Sequence, residues 1–264
     1  MQPGKNAIAH AIASASRGDV LRIHQGIYHE ALTIDKPLTL EPAPGDHPVV
    51  DAGCKANDTI HVTSGGVEIN GLTVTGAATG SGDYPAEIFF ESTPSGKAAD
   101  NRLIDSCDAQ YGISAFDTGA VSVEGNSARG FDDSGIYIGS ISSTHGADLT
   151  VKQNKTNHNA RGIIVEDSNA GAVHIDIEKN EMRNNTLAND EGLPSDGLYL
   201  TNSDHVRVLR NEADDNGGSG FHPNSSSDHN VFISNTARHN GARGLLNEGH
   251  GNCGSNNSFA LPSC

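Results

Sequence analysis

Tryptophan is absent from this 264-residue chain, and aromatic residues make up only 5% of it. The hydrophobic fraction is 35%, too thin for a thick globular core and suited to a slender repeating architecture. Basic residues are scarce: 17 Lys and Arg stand against 33 Asp and Glu, a formal charge of −16. No basic stripe stands out, which argues against a nucleic-acid partner. No apolar run is long enough to span a membrane, and the opening MQPGKNAIAH lacks the apolar stretch of a secretory leader. The expected location is secreted or extracellular, with the leader absent from this chain. A cytosolic protein is the alternative. Cys54, Cys107, Cys253 and Cys264 show neither CxxC nor Cys/His metal spacing. Cys253 and Cys264 flank a polar tail and could pin it to the last coil, with Cys54 and Cys107 as the remaining pair. Four free thiols are the alternative.

What the chain does have is a repeat. Glycine opens a short apolar strand at Gly112, Gly135, Gly162, Gly197, Gly220 and Gly244, at spacings of 23, 27, 35, 23 and 24. Asparagine closes a second strand at Asn126, Asn154, Asn180, Asn211 and Asn235, at spacings of 28, 26, 31 and 24. A period in the twenties with very short alternating strands marks a solenoid, because no unit can bury its apolar face alone. An inward Asn at each tight bend would tolerate left-handed backbone and hydrogen-bond its copies in adjacent coils. The 31 glycines are read as turn residues. Asn6 to Ser16 carries Ile8, Ala11, Ile12 and Ala15 at helical spacing and should cap the open end of the first coil. Tyr28 and Glu30 are read as structural. Two stretches break the pattern: Gly76 to Gly96, with Ile88 to Phe90 as a buried strand, and Met182 to Pro194. One domain over 1–264 is expected, with residues 1–17 as cap, 18–258 as coils and 259–264 as tail.

These motifs resemble the right-handed parallel β-helix of the pectin-lyase-like superfamily, and the resemblance runs from about Gly18 to Ser258. It implies an all-β, single-stranded solenoid with a short N-terminal capping helix. The opening pattern, GD-apolar then GIYHE then KPLTL, resembles the first coils of β-helix proteins that act on carbohydrates. The superfamily holds lyases, hydrolases, epimerases and adhesins, so activity must be argued from side chains.

Alternation along each Gly-opened strand should put Ser114, Tyr137, Ile164, Tyr199, His222 and Leu246 in one outward column. Phe116, Gly139, Glu166, Thr201, Asn224 and Glu248 form a second. Tyr111, Ser134, Arg161, Asp196, Ser219 and Arg243 form a third. Coils stack about 4.8 Å apart, so Tyr199 and His222 should be neighbours. Proton abstraction at C5 of a uronosyl unit needs a cation on the adjacent carboxylate, a base and an acid. Arg161 or Arg243 could be the cation. His222 and Tyr199 could share the proton transfers, with Asp196 beside them. Tyr137, Glu166, Thr201, Asn224 and Glu248 are the expected substrate-binding residues.

The segment from Asp214 to Gly249 resembles the YGFDPH region of mannuronan C5-epimerases and the HDNG coil after it. Gly220, Phe221, Pro223, His239, Asn240, Gly241 and Gly244 match. The departures are Ser219, His222 and Asn224, where the family has Tyr, Asp and His, so its catalytic trio does not carry over. Asp196, Asp214-Asp215 and Gly249-His250-Gly251 follow the order of polygalacturonase motifs, but no Arg-x-Lys motif follows.

The expected function is therefore an extracellular lyase or C5-epimerase acting on uronic-acid glycans. A glycoside hydrolase using Asp196 with Glu166, Asp215 or Glu248 is one alternative. A non-catalytic carbohydrate-binding or adhesin β-helix is the other. A polysaccharide or oligosaccharide is the expected partner, and the oligomeric state stays open. No cofactor is required. Calcium is allowed for, with Asp190 and Glu191 of the second insertion as candidate ligands and no metal site assigned.

Overall fold

The fold is seen in a computed structural model that describes residues 4, 6–78, 84–141, 148–168, 174–188 and 192–264. Asp190 and Glu191 lie outside the described residues. Among those described, one helix, Ala7–Ser14, precedes a succession of short strands. The strands fall in turn into three parallel sheets of ten, nine and eight members, so neighbours within a sheet are three strands apart in sequence except at the C-terminal end of the ten-stranded sheet. This is a parallel β-helix.

Its interior is built from ladders of like residues. In the eight-stranded sheet, Leu32, Ile60, Ile88, Ile113, Ile136, Ile163, Leu198 and Phe221 stack in register, none more than 2% exposed. Short β-branched and aliphatic strands suit this geometry because each side chain packs on its copy one coil away.

The bends are closed by asparagine. Asn101, Asn126, Asn154, Asn180, Asn211, Asn235 and Asn257 form a continuous ladder. Each side-chain oxygen accepts the backbone N–H and the amide of the rung before it, at 2.8–3.1 Å. A second ladder runs through Asn159, Asn185, Asn216 and Asn240. The left-handed backbone falls one residue earlier than the sequence reading placed it. Asp100, Gly125, Gln153, Lys179, Arg210, Ser234 and Asn256 carry positive φ, and the asparagines themselves do not. The residue before the rung makes the bend, and that frees the rung to point inward.

The repeating glycines also serve a different purpose from the one expected. None of the six has a positive φ. A Cβ on Gly112, Gly162 or Gly197 would sit 2.4–2.6 Å from the carbonyl oxygen of the glycine in the next coil. Close approach of backbone, and not turn geometry, selects glycine there.

Glu87 occupies that glycine position in an earlier coil, between Ala86 and Ile88, which pair with Tyr111 and Ile113. Its carboxyl is fully buried, accepts the Thr59 hydroxyl at 2.6 Å, and lies 3.3 Å from the Ala77 N–H. Burial pushes its pKa up to about 8 from an ordinary 4.5. The folded chain therefore holds a proton that the unfolded chain releases. Stability is full below pH 4.5 and falls as pH rises towards about 8. We expect Glu87→Gln to flatten urea-unfolding stability across this window. An unchanged pH slope in the variant would show that the carboxyl is not the responsible group.

The helix is held at both ends by the first coil. The Glu30 carboxylate accepts the N–H of Ile8 and Ala9, and Lys36 donates to the carbonyls of Ile12 and Ala15. Both charges complement the helix dipole. Tyr28 is buried, with its hydroxyl on the His24 carbonyl. At the other end Cys253 is joined to Cys264, and Phe259 packs its ring against Phe221 and Phe232. The stretch read as a tail thus supplies an apolar plug. Cys54 is joined to Cys107. Met182 lies in the strand Glu181–Arg183 and is wholly buried, so the second insertion begins later than expected, beyond the Asn185 rung.

Candidate functional site

The outward face of the eight-stranded sheet carries a groove of about 560 Å³. Four of the chain's five tyrosines line it: Tyr84, Tyr111, Tyr137 and Tyr199. Tyr111 and Tyr137 come from the adjacent strands Tyr111–Phe116 and Ser134–Gly139 and stack with ring centroids 4.6 Å apart. Tyr84 continues the stack at 6.4 Å from Tyr111. The Tyr111 and Tyr137 rings are not register partners, since Tyr111 pairs with Ser134 and Tyr137 with Ser114, so they meet diagonally across the two strands. Ser114 lies in register between Phe89 and Tyr137, is 3% exposed and lines the groove. Its hydroxyl has no hydrogen-bond partner among the described residues.

The charges in the groove are mostly negative. Glu91, Asp133, Glu166 and Asp167 line it, and Arg161 is the one cation among the lining residues. Arg161 is 2% exposed and pairs with Asp133 at 2.5 Å. It also donates to the Pro194 carbonyl at 3.4 Å and lies 5.6 Å from the centre of the Tyr199 ring. A buried guanidinium paired with a carboxylate of the same wall holds that wall in place. Tyr137 donates its hydroxyl to Glu166 at 2.8 Å. The Asp133 carboxylate lies close to the Tyr111 phenol. Burial, then the neighbouring carboxylates, push both phenols well above the ordinary range. Neither can serve as a phenolate base near neutral pH; both keep the O–H proton.

A second cluster lies one coil beyond the groove. His222 Nδ1 is 2.7 Å from Asp196, and its Nε2 is 3.4 Å from Glu248. Asp196 is 1% exposed and also accepts the Ser219 N–H. The His222 and Tyr199 rings are 5.0 Å apart on the same face. Burial opposes the imidazolium charge, but the bond and charge of Asp196, helped by Glu248, outweigh it and raise the His222 pKa. The imidazole is therefore better suited to donating a proton than to taking one.

The structure divides the expected residues between these two places. Tyr199, Arg161, Tyr137, Glu166 and Thr201 line the groove. His222, Asp196 and Glu248 form the neighbouring cluster. Arg243 is exposed in the loop beyond and joins neither, so it is not placed to neutralise a ligand in the groove. Asn224 is turned into its own bend, donating to Thr201 Oγ1 at 2.8 Å and accepting from Ser226 and Ser227. Asp215 is exposed beside His239 and outside the groove, which removes it as a partner carboxylate for Asp196. Asp133 and Asp167 are not singled out by the sequence, whereas Tyr84 and Phe89 belong to the Gly76 to Gly96 stretch that breaks the repeat. Tyr111 stands in the third counted column with Arg161 and Asp196, where the sequence gives it no role.

The comparisons agree on architecture. A family model described as periplasmic copper-binding protein (NosD) matches residues 44–260. The crystal structure of pectate lyase Pel9A superposes with a TM-score of 0.72 at 16% identity, covering 97% of this chain and 75% of that one. The ORF18 protein of Geobacillus virus E2 superposes with a TM-score of 0.55 at 14% identity, covering 95% of this chain and 58% of that one. At these identities the likeness shows the fold alone. No curated protein matches the chain.

Proposed function

We propose a carbohydrate-directed function from two premises: the chain belongs to the family described as periplasmic copper-binding protein (NosD), and its outward sheet carries a tyrosine-lined groove. The ligand is a glycan chain lying along the groove. Sugar rings stack on Tyr137 and Tyr199, and hydroxyls bond to Ser114, Glu166 and Thr201. The observation that carries this reading is the concentration of four of the five tyrosines, together with the buried Ser114 side chain, in one cavity of about 560 Å³. Apolar faces with a few fixed polar groups are what a pyranose ring requires. The location would be periplasmic or extracellular, which the two disulfides support.

The copper of the family description was weighed against the donor set. Copper favours thiolate, thioether and imidazole ligands. All four cysteines are in disulfides, and Met182 is sealed in the core. Among the described residues, no group of three or more His, Cys, Asp or Glu is arranged to hold a metal ion. The described residues do not fit a resident copper or calcium centre, and no step is assigned to either.

The absence of tryptophan makes the test direct, because tyrosine emission reports chiefly on the groove. Titration with neutral and charged oligosaccharides should change that emission saturably, and Tyr199→Ala should weaken the response. No response to any glycan in a broad panel would sink the reading.

One observation favours a second reading, a polysaccharide lyase or C5-epimerase: the buried His222–Asp196 pair beside Tyr199. Formation of an unsaturated uronate, or a change in sugar configuration by NMR, that is lost in His222→Asn would support it. Turnover unaffected by that variant would place the chemistry elsewhere.

A further inference from the structure

The charges that line the groove are opposite in sign to those a polyuronate would need. Four carboxylates line it, and its one lining cation is held by one of them, Asp133. The surrounding chain carries a formal charge of −16, so no long-range field offsets this imbalance. The carboxylates are also ordered in advance. Glu166 is fixed by the Tyr137 hydroxyl at 2.8 Å, and Asp167 by the Asn202 amide at 2.7 Å. Along the column, Glu166 pairs in register with Gly139, whose missing side chain makes room for the Tyr137 ring, and with Thr201, and it lines the groove. Tyr137 and Tyr199 stand beside it, one residue pair over, at the positions flanking Ile164. Arg161 lies 5.6 Å from the centre of the Tyr199 ring, so one groove aromatic already has a cation beside it.

We infer that the groove is selective for a cationic glycan, one bearing free amino groups as in a glucosamine polymer, over uncharged and uronate-bearing chains. This rests on the carbohydrate reading above and adds the substrate class. A sugar ring would stack on Tyr137 or Tyr199 while its ammonium meets Glu166 and Asp167 through charge-assisted hydrogen bonds. The neighbouring tyrosine faces add attraction for the same charge. A uronate in that place would meet the carboxylates with no uncommitted cation among the lining residues.

The test compares three oligosaccharides of equal length by tyrosine fluorescence: a glucosamine oligomer, its N-acetylated counterpart and an oligogalacturonate. The amine oligomer should bind at least about tenfold more tightly than the acetylated one, and the galacturonate most weakly. The preference should shrink at high salt and above the pH at which the amines lose their protons. Glu166→Gln combined with Asp167→Asn should bring the ratio between amine and acetylated oligomers towards one. Equal binding of those two, or tighter binding of galacturonate, overturns the inference and leaves the glycan groove standing. An oligolysine that binds as tightly as the amino sugar also overturns it, because charge without a pyranose would then suffice. Binding of none of the three, with none from the wider panel, overturns both.

Discussion

Asn154→Leu is expected to lower the unfolding free energy by about 3–5 kcal/mol, the largest stability effect among single polar-to-apolar changes in the coils. Asn154 is fully buried, and its side chain makes four hydrogen bonds. Its oxygen accepts both the backbone N–H and the side-chain amide of Asn126, at 2.9 and 3.0 Å. Its amide donates to the Val123 carbonyl and to Asn180, at 2.9 and 3.0 Å. Leucine matches the volume roughly but leaves two buried donors of Asn126 without an acceptor. Each such orphan costs about 1–3 kcal/mol, so the donors dominate over any gain from apolar burial. The same change at Asn257, the last and only partly buried rung, should cost about 1 kcal/mol, because water can replace the lost partner. Equilibrium urea unfolding of both variants checks the contrast. A loss under about 1 kcal/mol at Asn154 would mean that the ladder is decorative and that the aliphatic stacks alone hold the coils.

Tyr137→Ala is expected to weaken glycan binding by about 30- to 100-fold, the largest effect among groove variants. The substitution removes a ring stacked 4.6 Å from Tyr111 and the donor that fixes Glu166. Tyr137→Phe keeps the ring and loses only the hydroxyl bond. It should cost about three- to tenfold, the worth of one hydrogen bond to a charged acceptor with the platform intact. Isothermal titration with whichever oligosaccharide binds the native chain separates the two effects, and thermal unfolding of the Phe variant should be unchanged. Native-like binding by the alanine variant would remove the groove from consideration as the ligand site.

Several features show how far the chain could be read before its fold was seen. The outward column Ser114, Tyr137, Ile164, Tyr199, His222 is found in the register in which it was counted. The two disulfide pairs join the cysteines that were paired by position. Arg243 and Asn224 sit in the same counted columns, yet one is exposed beyond the groove and the other is folded into its bend. Both belong to the last coils, where the third sheet ends at Phe221–Pro223 with a single bridge to Leu245 beyond it. Column counting fails there because no full strand fixes the side-chain direction.

The sequence by itself determined a solenoid of short strands, its coil register and its capping helix, and the family resemblance supplied the right hand. The first three follow from apolar alternation, from glycine where backbones meet and from asparagine at the bends, all local signals repeated often enough to be read as a period. The tertiary structure alone decided which outward residues share a cavity and in what charge state. Asp133 reaches Arg161 and Tyr111 only because a bend from one coil lies against strands from its neighbours. The His222 imidazole is drawn towards its charged form only because Asp196 is buried against it. Burial and inter-coil contact set pKa values and partners, and neither is a property of a stretch of chain taken alone.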